Sequence, residues 1–240
     1  MSQSPITLYD IQSTIPQPWA PNIWRVRYAI PPDEIVSCCP PSDGRTLPSP
    51  NRFILNYKRL PYRTVWIEFS DVETTLRRIG AQPTSYRSDG RPVYTLPAII
   101  DPQRSINAPV VLSNPTVIAE YLEATYPARP VFPEGSRALQ SLFVHYIQDG
   151  FVKPLLPILV PLTHQRLPER SQAHFSRGGA PSPTSPTALA GPQSEQAWNA
   201  VREQFNFLAA ILDKNTSDGN GVVAMGRDVS YADFALCSVL

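Results

Sequence analysis

Cysteine is scarce in this chain: Cys38, Cys39 and Cys237 are the only three. Neighbours in sequence make a poor disulfide, and no spacing among the three resembles a zinc site or a redox pair, so the pattern suits a reducing compartment. Charge of one sign is also lacking. The 21 Lys and Arg nearly balance the 20 Asp and Glu, leaving no field to recruit nucleic acid or an acidic membrane surface. The expected partner is therefore a small molecule or another subunit. Long hydrophobic runs are missing too. The longest apolar stretch, Phe151 to Leu162, contains Lys153 and three prolines and is too short to span a bilayer. Met1 to Thr7 has neither a basic segment nor a long apolar run, and does not read as a signal peptide. These absences together predict a cytoplasmic protein. Proline alone is in excess, with 28 residues, about twice the usual share.

A chain of 240 residues can form one large domain or two small ones. Its first half alternates in type. Ile6-Thr7-Leu8-Tyr9 reads as a strand and Pro21 to Ile30 as a helix. Tyr62 to Phe69 then reads as a strand, Asp71 to Ile79 as a helix, Val93 to Ile100 and Val110 to Leu112 as strands, and Pro115 to Thr125 as a helix. The order β-α-β-α-β-β-α predicts a mixed sheet with helices on its faces. Beyond the linker Tyr126 to Gly135 the strand signals stop. Leu139, Leu142, Phe143, Tyr146 and Ile147 recur at helical spacing, as do Trp198, Val201, Phe205, Leu208 and Leu212, so each set predicts one buried helix face. Ser230-Tyr231-Ala232-Asp233 resembles a capping box opening a third helix. That helix reaches Leu240 without a C-cap, so the reading predicts a chain that ends inside its domain. Prolines 154, 157, 161 and 168 predict a kinked or broken helix. Pro31 to Ile54 holds six prolines and Gly178 to Pro192 is almost wholly Gly, Ala, Pro, Ser and Thr; both are expected to be disordered.

This order of elements, with Thr95-Leu96-Pro97-Ala98 opening a strand and Ser230 to Phe234 in the second half, resembles the cytosolic glutathione-transferase superfamily over nearly the whole chain. Pro21-Asn22-x-Trp24-Arg25-x-Arg27-Tyr28-Ala29, followed later by Asn56-Tyr57-Lys58-x-Leu60-Pro61-Tyr62, is similar more narrowly to the fungal FuA class and its bacterial β-etherase relatives. The resemblance implies a thioredoxin-like α/β N-terminal domain over 5–127 and an all-helical C-terminal domain over 136–240, incomplete at its end. In that class Tyr-Ala-Leu runs straight into Asn-Tyr-Lys. Residues 31–55 therefore look like a Pro-rich insert in one amphipathic helix, read either as an unspliced intron or gene-model error or as a genuine loop.

A glutathione transferase keeps the glutathione sulfur as a thiolate near the N-terminus of its first helix, using the helix dipole and hydrogen-bond donors. The resemblance puts the donor Ser at Ala20, whose hydroxyl is missing. Asn22 and the backbone N–H groups remain as donors, and Ser13 and Thr14 lie on the same loop; the alternative is that Asn22 only caps a helix. Leu96-Pro97 corresponds to the superfamily's cis proline, which turns the preceding backbone toward the cysteinyl part of glutathione. Where the family has an acid and a Ser for the γ-glutamyl end, this chain has Asn114-Pro115, with Ser113 one residue earlier. Pro115 supplies neither hydroxyl nor N–H, and Ser113 or Asn114 is read either as a ligand contact or as a helix cap. Loss of two side-chain contacts predicts weaker glutathione binding and a less acidic bound thiol. Position alone places Tyr146, Phe151, Leu155, Leu159 and Trp24 at the acceptor pocket, with core packing as the alternative for each. His145 reads as a packed or surface histidine rather than a base, and His164 and His174 have no second ligand at metal spacing, so no metal is expected.

Three functions follow from this reading. One is a detoxifying transferase or ether-cleaving enzyme, acting as a homodimer on hydrophobic aromatic compounds, with glutathione as co-substrate. Another is a ligandin-type binder of aromatic or phenolic compounds without turnover. The last is a non-functional product of a faulty gene model. None involves nucleic acid or a membrane.

Overall fold

The computed structural model describes residues 4–12, 14, 53–102, 108–177, 191–219, 221 and 223–238. The chain divides into two compact units, Met1–Pro130 and Val131–Leu240. The predicted helix over 21–30 and the segments 31–52 and 178–190 lie outside the described residues.

The first unit is built on a four-stranded mixed sheet. Its strands are β1 (Ile6–Ile11), β2 (Tyr62–Ile67), β5 (Ala98–Asp101) and β6 (Val110–Ser113), in the order β2-β1-β5-β6. β1 runs parallel to β2 and antiparallel to β5, and β5 is antiparallel to β6. A small hairpin, β3 (Ser85–Tyr86) with β4 (Pro92–Val93), stands apart. The sequence reading of one strand from Val93 to Ile100 needs correction, because Leu96-Pro97, a cis peptide, separates β4 from β5.

Strand alternation assigns the two sheet faces. Ile11, Ile67 and Ala98 join Val72 and Leu76 of α2 (Val72–Arg78) in one core cluster, with Tyr9 and Val65 packed against it. Leu8 and Ile99, paired in register and fully buried, take the opposite face. α2 follows a short 3-10 turn, Phe69–Asp71. Glu73 in its first turn and Arg77 and Arg78 in its last complement the helix dipole. It ends where Gly80 adopts φ 79°, a conformation that costs glycine little. The helix α1 (Phe53–Tyr57) precedes β2, with Ile54 and Leu55 fully buried. The last residues of the expected insert are thus part of a packed helix.

α3 (Pro115–Thr125) matches its sequence reading at both ends. Proline suits the first helical turn, and Ile118, Ala119 and Leu122 form the buried stripe. At its far end two phenols converge on a buried carboxylate: Tyr121 and Tyr126 both donate to Asp101 Oδ2, at 2.9 and 2.8 Å. Burial first, and then the hydrogen bond to Asp101, push the Tyr126 phenol well above its usual range.

Helices alone make up the regular structure of the second unit's described residues, apart from isolated bridges at Val223–Gly226 and Met225–Asp228. They are α4 (Arg137–Ile147), α5 (Lys153–Gln165), α6 (Glu169–Arg177), α7 (Pro192–Leu212) and α8 (Tyr231–Cys237). Ile147, Phe151, Leu155, Val201, Leu208 and Ala235 form the core. One expectation changes here. Leu139 and Leu142 are about two-thirds exposed, at 66% and 65%, because the inward stripe of α4 is Gln140, Phe143, Val144 and Ile147. Gln140 tolerates burial because its amide is fully used. Nε2 donates to Val131 O and Ser136 Oγ, and Oε1 accepts from Ala232 N at 3.0 Å. The proline-rich stretch is helical over Lys153–Gln165 and interrupted at Pro168, before the helix that starts at Glu169. α5 continues a π-helical segment, Gln148–Val152; Pro154 falls in its first turn, and burial of Phe151 and Leu155 holds a helix that propensity alone disfavours. Among the described residues no helix is long and apolar enough to cross a membrane.

Candidate functional site

Two sequence-predicted segments meet at one corner of the sheet. The antiparallel register pairs Ala98 with Ser113, so the backbone of Leu96-Pro97, leading into β5, lies beside the Ser113-Asn114-Pro115 step from β6 into α3. Neighbouring strands are separated by about 4.8 Å, within reach of one small peptide. The side chains Leu96 and Ala98 anchor this corner in the first core cluster.

Asn114 is the N-cap of α3. Its backbone takes the left-handed half of the map, φ 79°, which is uncommon outside glycine. Its Oδ1 accepts from Thr116 N at 2.9 Å and from Val117 N at 3.4 Å. The helix's own cap therefore occupies donors that an incoming carboxylate would use. Ser113 donates its hydroxyl proton to Gln82 O at 2.9 Å, keeping only acceptor capacity for a ligand. On the hairpin side, Thr95 Oγ1 donates to Thr84 Oγ1 at 2.9 Å, and Thr84 Oγ1 donates to Val93 O at 3.1 Å. This chain of hydroxyls fixes the approach to Leu96. Among the described residues no group of three or more His, Cys, Asp or Glu is arranged to hold a metal ion.

The cap supplies a direct prediction. Asn114→Ala removes the accepting oxygen and leaves at positive φ a residue that tolerates it less well than Asn, so it is expected to cost about 1–2 kcal/mol, whereas Asn114→Gly, which suits that backbone angle, costs only about a few tenths. Thermal unfolding of both variants measures the difference; equal losses would show that the backbone angle does not matter there, and no loss in either variant that the cap does not.

Ala20, Asn22 and Trp24 lie outside the described residues. Tyr146 and Phe151 fall together in the second unit, in T-shaped contact at 5.7 Å between ring centroids. Phe151 is fully buried and also packs on Phe205 at 4.4 Å; Tyr146 is half-buried and donates to Gln204 Oε1 at 3.0 Å. Burial raises its phenol's pKa. Gly150, within the π-helical turn, lies beneath this pair. A Cβ there would meet Tyr146 Cε2 at 3.6 Å and Gln204 Oε1 at 3.7 Å. Gln204 was missed in the sequence, where an amide between the apolar positions Val201, Phe205 and Leu208 gives no signal. Cys237 is a free thiol whose pKa is raised by burial and by Asp233.

Comparison with known proteins bears on the family of the chain. Residues 51–130 match the family described as Glutathione S-transferase, N-terminal domain, and residues 138–240 match Glutathione S-transferase, C-terminal domain. The chain is similar to the glutathione transferase GSTFuA3 of Phanerochaete chrysosporium, at 31% identity and TM-score 0.76, covering 99% of this chain and 84% of that one. A glutathione S-transferase of Ceriporiopsis subvermispora, solved in complex with glutathione, superposes with TM-score 0.75 at 31% identity, covering 98% of this chain and 83% of that one. The glutathione S-transferase-like protein ustS of Aspergillus flavus is 24% identical over 248 residues, which span 99% of this chain and 80% of that protein.

Proposed function

The chain belongs to the glutathione transferase family, and from that premise we propose that it binds glutathione as co-substrate and directs the thiolate at hydrophobic aromatic compounds, by conjugation or ether cleavage, in the cytoplasm. The observation that carries this reading is the pairing of Ala98 with Ser113, which sets the Leu96 backbone beside the start of α3. In this reading Leu96 meets the cysteinyl backbone of glutathione, and Ser113, Asn114 and Pro115 face its γ-glutamyl end. Asn22 and the backbone of its helix then stand in for the hydroxyl that Ala20 lacks. Tyr146, backed by Phe151, and Trp24 contribute to the acceptor pocket. Exposed Leu139 and Leu142 on α4 offer apolar surface for a homodimer, and sedimentation of the full chain as a monomer would remove that part.

A specific observation favours a second reading, a ligandin-type binder with weak glutathione affinity. Asn114 Oδ1 already accepts from the amides of Thr116 and Val117, and Pro115 has no N–H to offer. Titration of the full chain with glutathione, followed by calorimetry and by the ultraviolet absorbance of the thiolate, separates the readings. Saturation with thiolate formation near neutral pH supports the enzyme, and saturation without it supports the binder. No binding at millimolar glutathione ends both.

A further inference from the structure

A lysine remote in sequence from the oxygens around it is held by four of them. Lys58, at the corner that follows α1, has a fully buried side chain. Its Nζ lies 2.6 Å from Glu123 Oε2, 2.9 Å from Tyr126 O, 3.1 Å from Arg129 O and 3.3 Å from Ala128 O. An ammonium has three protons. The three shorter contacts take one each, and Ala128 O completes an oxygen cage.

The cage has a physical reason to exist. The last carbonyls of a helix have no intrahelical partner and carry the negative end of its dipole, which a cation near the final turn offsets. α3 has no basic residue in its last turn, so the cation comes from elsewhere in the chain. The connection is reciprocal, since the Arg129 guanidinium donates to Tyr57 O at 2.9 Å. Both sides of it bend through left-handed backbone, with Arg59 at φ 54° and Arg129 at φ 56°, a conformation non-glycine residues seldom hold unless their surroundings enforce it. The same Tyr126 whose carbonyl enters the cage sends its hydroxyl to Asp101.

We propose that Lys58 is a tethered cation that latches the segment Tyr126–Arg129, the end of the first unit before the boundary at Pro130, onto the corner at Tyr57–Arg59. Without its ammonium the carbonyls of 126, 128 and 129 face one another and Glu123 with no cation between them, so the segment swings open. The latch is chemical rather than volumetric: what it requires is a small cation with N–H donors, and a side chain of similar bulk does not replace it.

Hydrogen exchange on the full chain, read by mass spectrometry, tests this. In Lys58→Met, which keeps most of the stem, protection in the last turn of α3 through Tyr126 should fall by on the order of tenfold or more, while β1 and β2 stay protected. In Lys58→Ala, ethylammonium should restore protection, and tetramethylammonium, which has no N–H, should not. Glu123→Gln keeps three carbonyls and a neutral oxygen around Nζ and should give a smaller loss, a comparison that stands even if Lys58→Ala fails to fold. Unchanged protection in Lys58→Met would overturn the proposal. So would equal rescue by the two ammonium ions, or a loss in Glu123→Gln that spreads evenly over the sheet.

Discussion

Asp233→Ala is expected to destabilise the second unit by about 3–5 kcal/mol, because several hydrogen bonds to one buried charged group, each worth about 1.5–3 kcal/mol, are lost together. Three groups depend on this carboxylate. Ala224 N donates to Oδ1 at 2.6 Å, and Ser230 N and Ser230 Oγ both donate to Oδ2 at 2.8 Å. Asp233 is buried, as is Ser230, so its removal strands donors in a place where water does not replace it. The loss also reaches outward. The carboxylate is the N3 half of the capping box that opens α8, and through Ala224 it ties that helix start to the turn at 223–226. The residues around it are themselves core: Tyr231, Phe234 and Ala235 are each no more than 1% exposed, and the Tyr231 ring packs at a tilt against Phe132, 5.1 Å between centroids. Asp233→Asn is the discriminating control, because it keeps one accepting oxygen while losing the charge, and it should cost less than half as much. Near-ultraviolet circular dichroism on heating reads both variants. A loss below about 1 kcal/mol for the alanine variant would mean that the box is ornamental and that apolar packing alone seats α8.

Why these features were readable from sequence, and others were not, comes down to the range of the interactions. Pro115 to Thr125 was legible because a proline at the first turn, a cap-forming residue before it and an apolar period are all local signals. The Ser230–Asp233 box was legible for the same reason. Locality misled at α4: Leu139 and Leu142 fit a helical stripe, yet the stripe that packs contains Gln140, whose burial depends on Val131, Ser136 and Ala232. A polar residue that is buried because distant groups satisfy it has no signature in a hydrophobicity pattern. The strand read as Val93 to Ile100 split at Leu96-Pro97, where the residues that carried the family resemblance also interrupt the sheet. At the candidate site the residue types were visible but their division of labour was not. Ser113 and Asn114 are both cap formers, and only the structure shows Asn114 on the helix and Ser113 turned to Gln82. The Lys58 cage, closed across 65 to 71 residues, had no local trace at all.

Ala20→Ser is the prediction with the largest expected effect on chemistry. A well-aimed hydrogen bond to an anion contributes about 1.5–3 kcal/mol, enough to lower a thiol pKa by roughly one to two. If the hydroxyl reaches the sulfur of bound glutathione, the thiol titrates that much lower than in the parent, and the sign follows directly. Well below both pKa values, a pKa lower by about one gives the serine variant on the order of tenfold more thiolate than the parent. Rate does not rise in proportion, because nucleophilicity falls with basicity at a Brønsted slope of about 0.4–0.5. The same change in basicity loses about threefold in reactivity, which leaves a net gain of roughly threefold on the acid side. Above both pKa values only the loss remains, so the variant's rate should plateau about threefold below the parent's. The expected result is thus a pH–rate profile moved to lower pH with a lower ceiling, alongside thiolate absorbance that appears at lower pH. Ala20→Gly, which adds no donor, should leave both curves in place. A shifted absorbance curve with no turnover at any pH would assign the chain to the binder reading, since the thiolate would then form without an acceptor to attack. An absorbance curve that does not move would show that position 20 is out of reach of the sulfur, and that the thiolate is stabilised elsewhere or not at all.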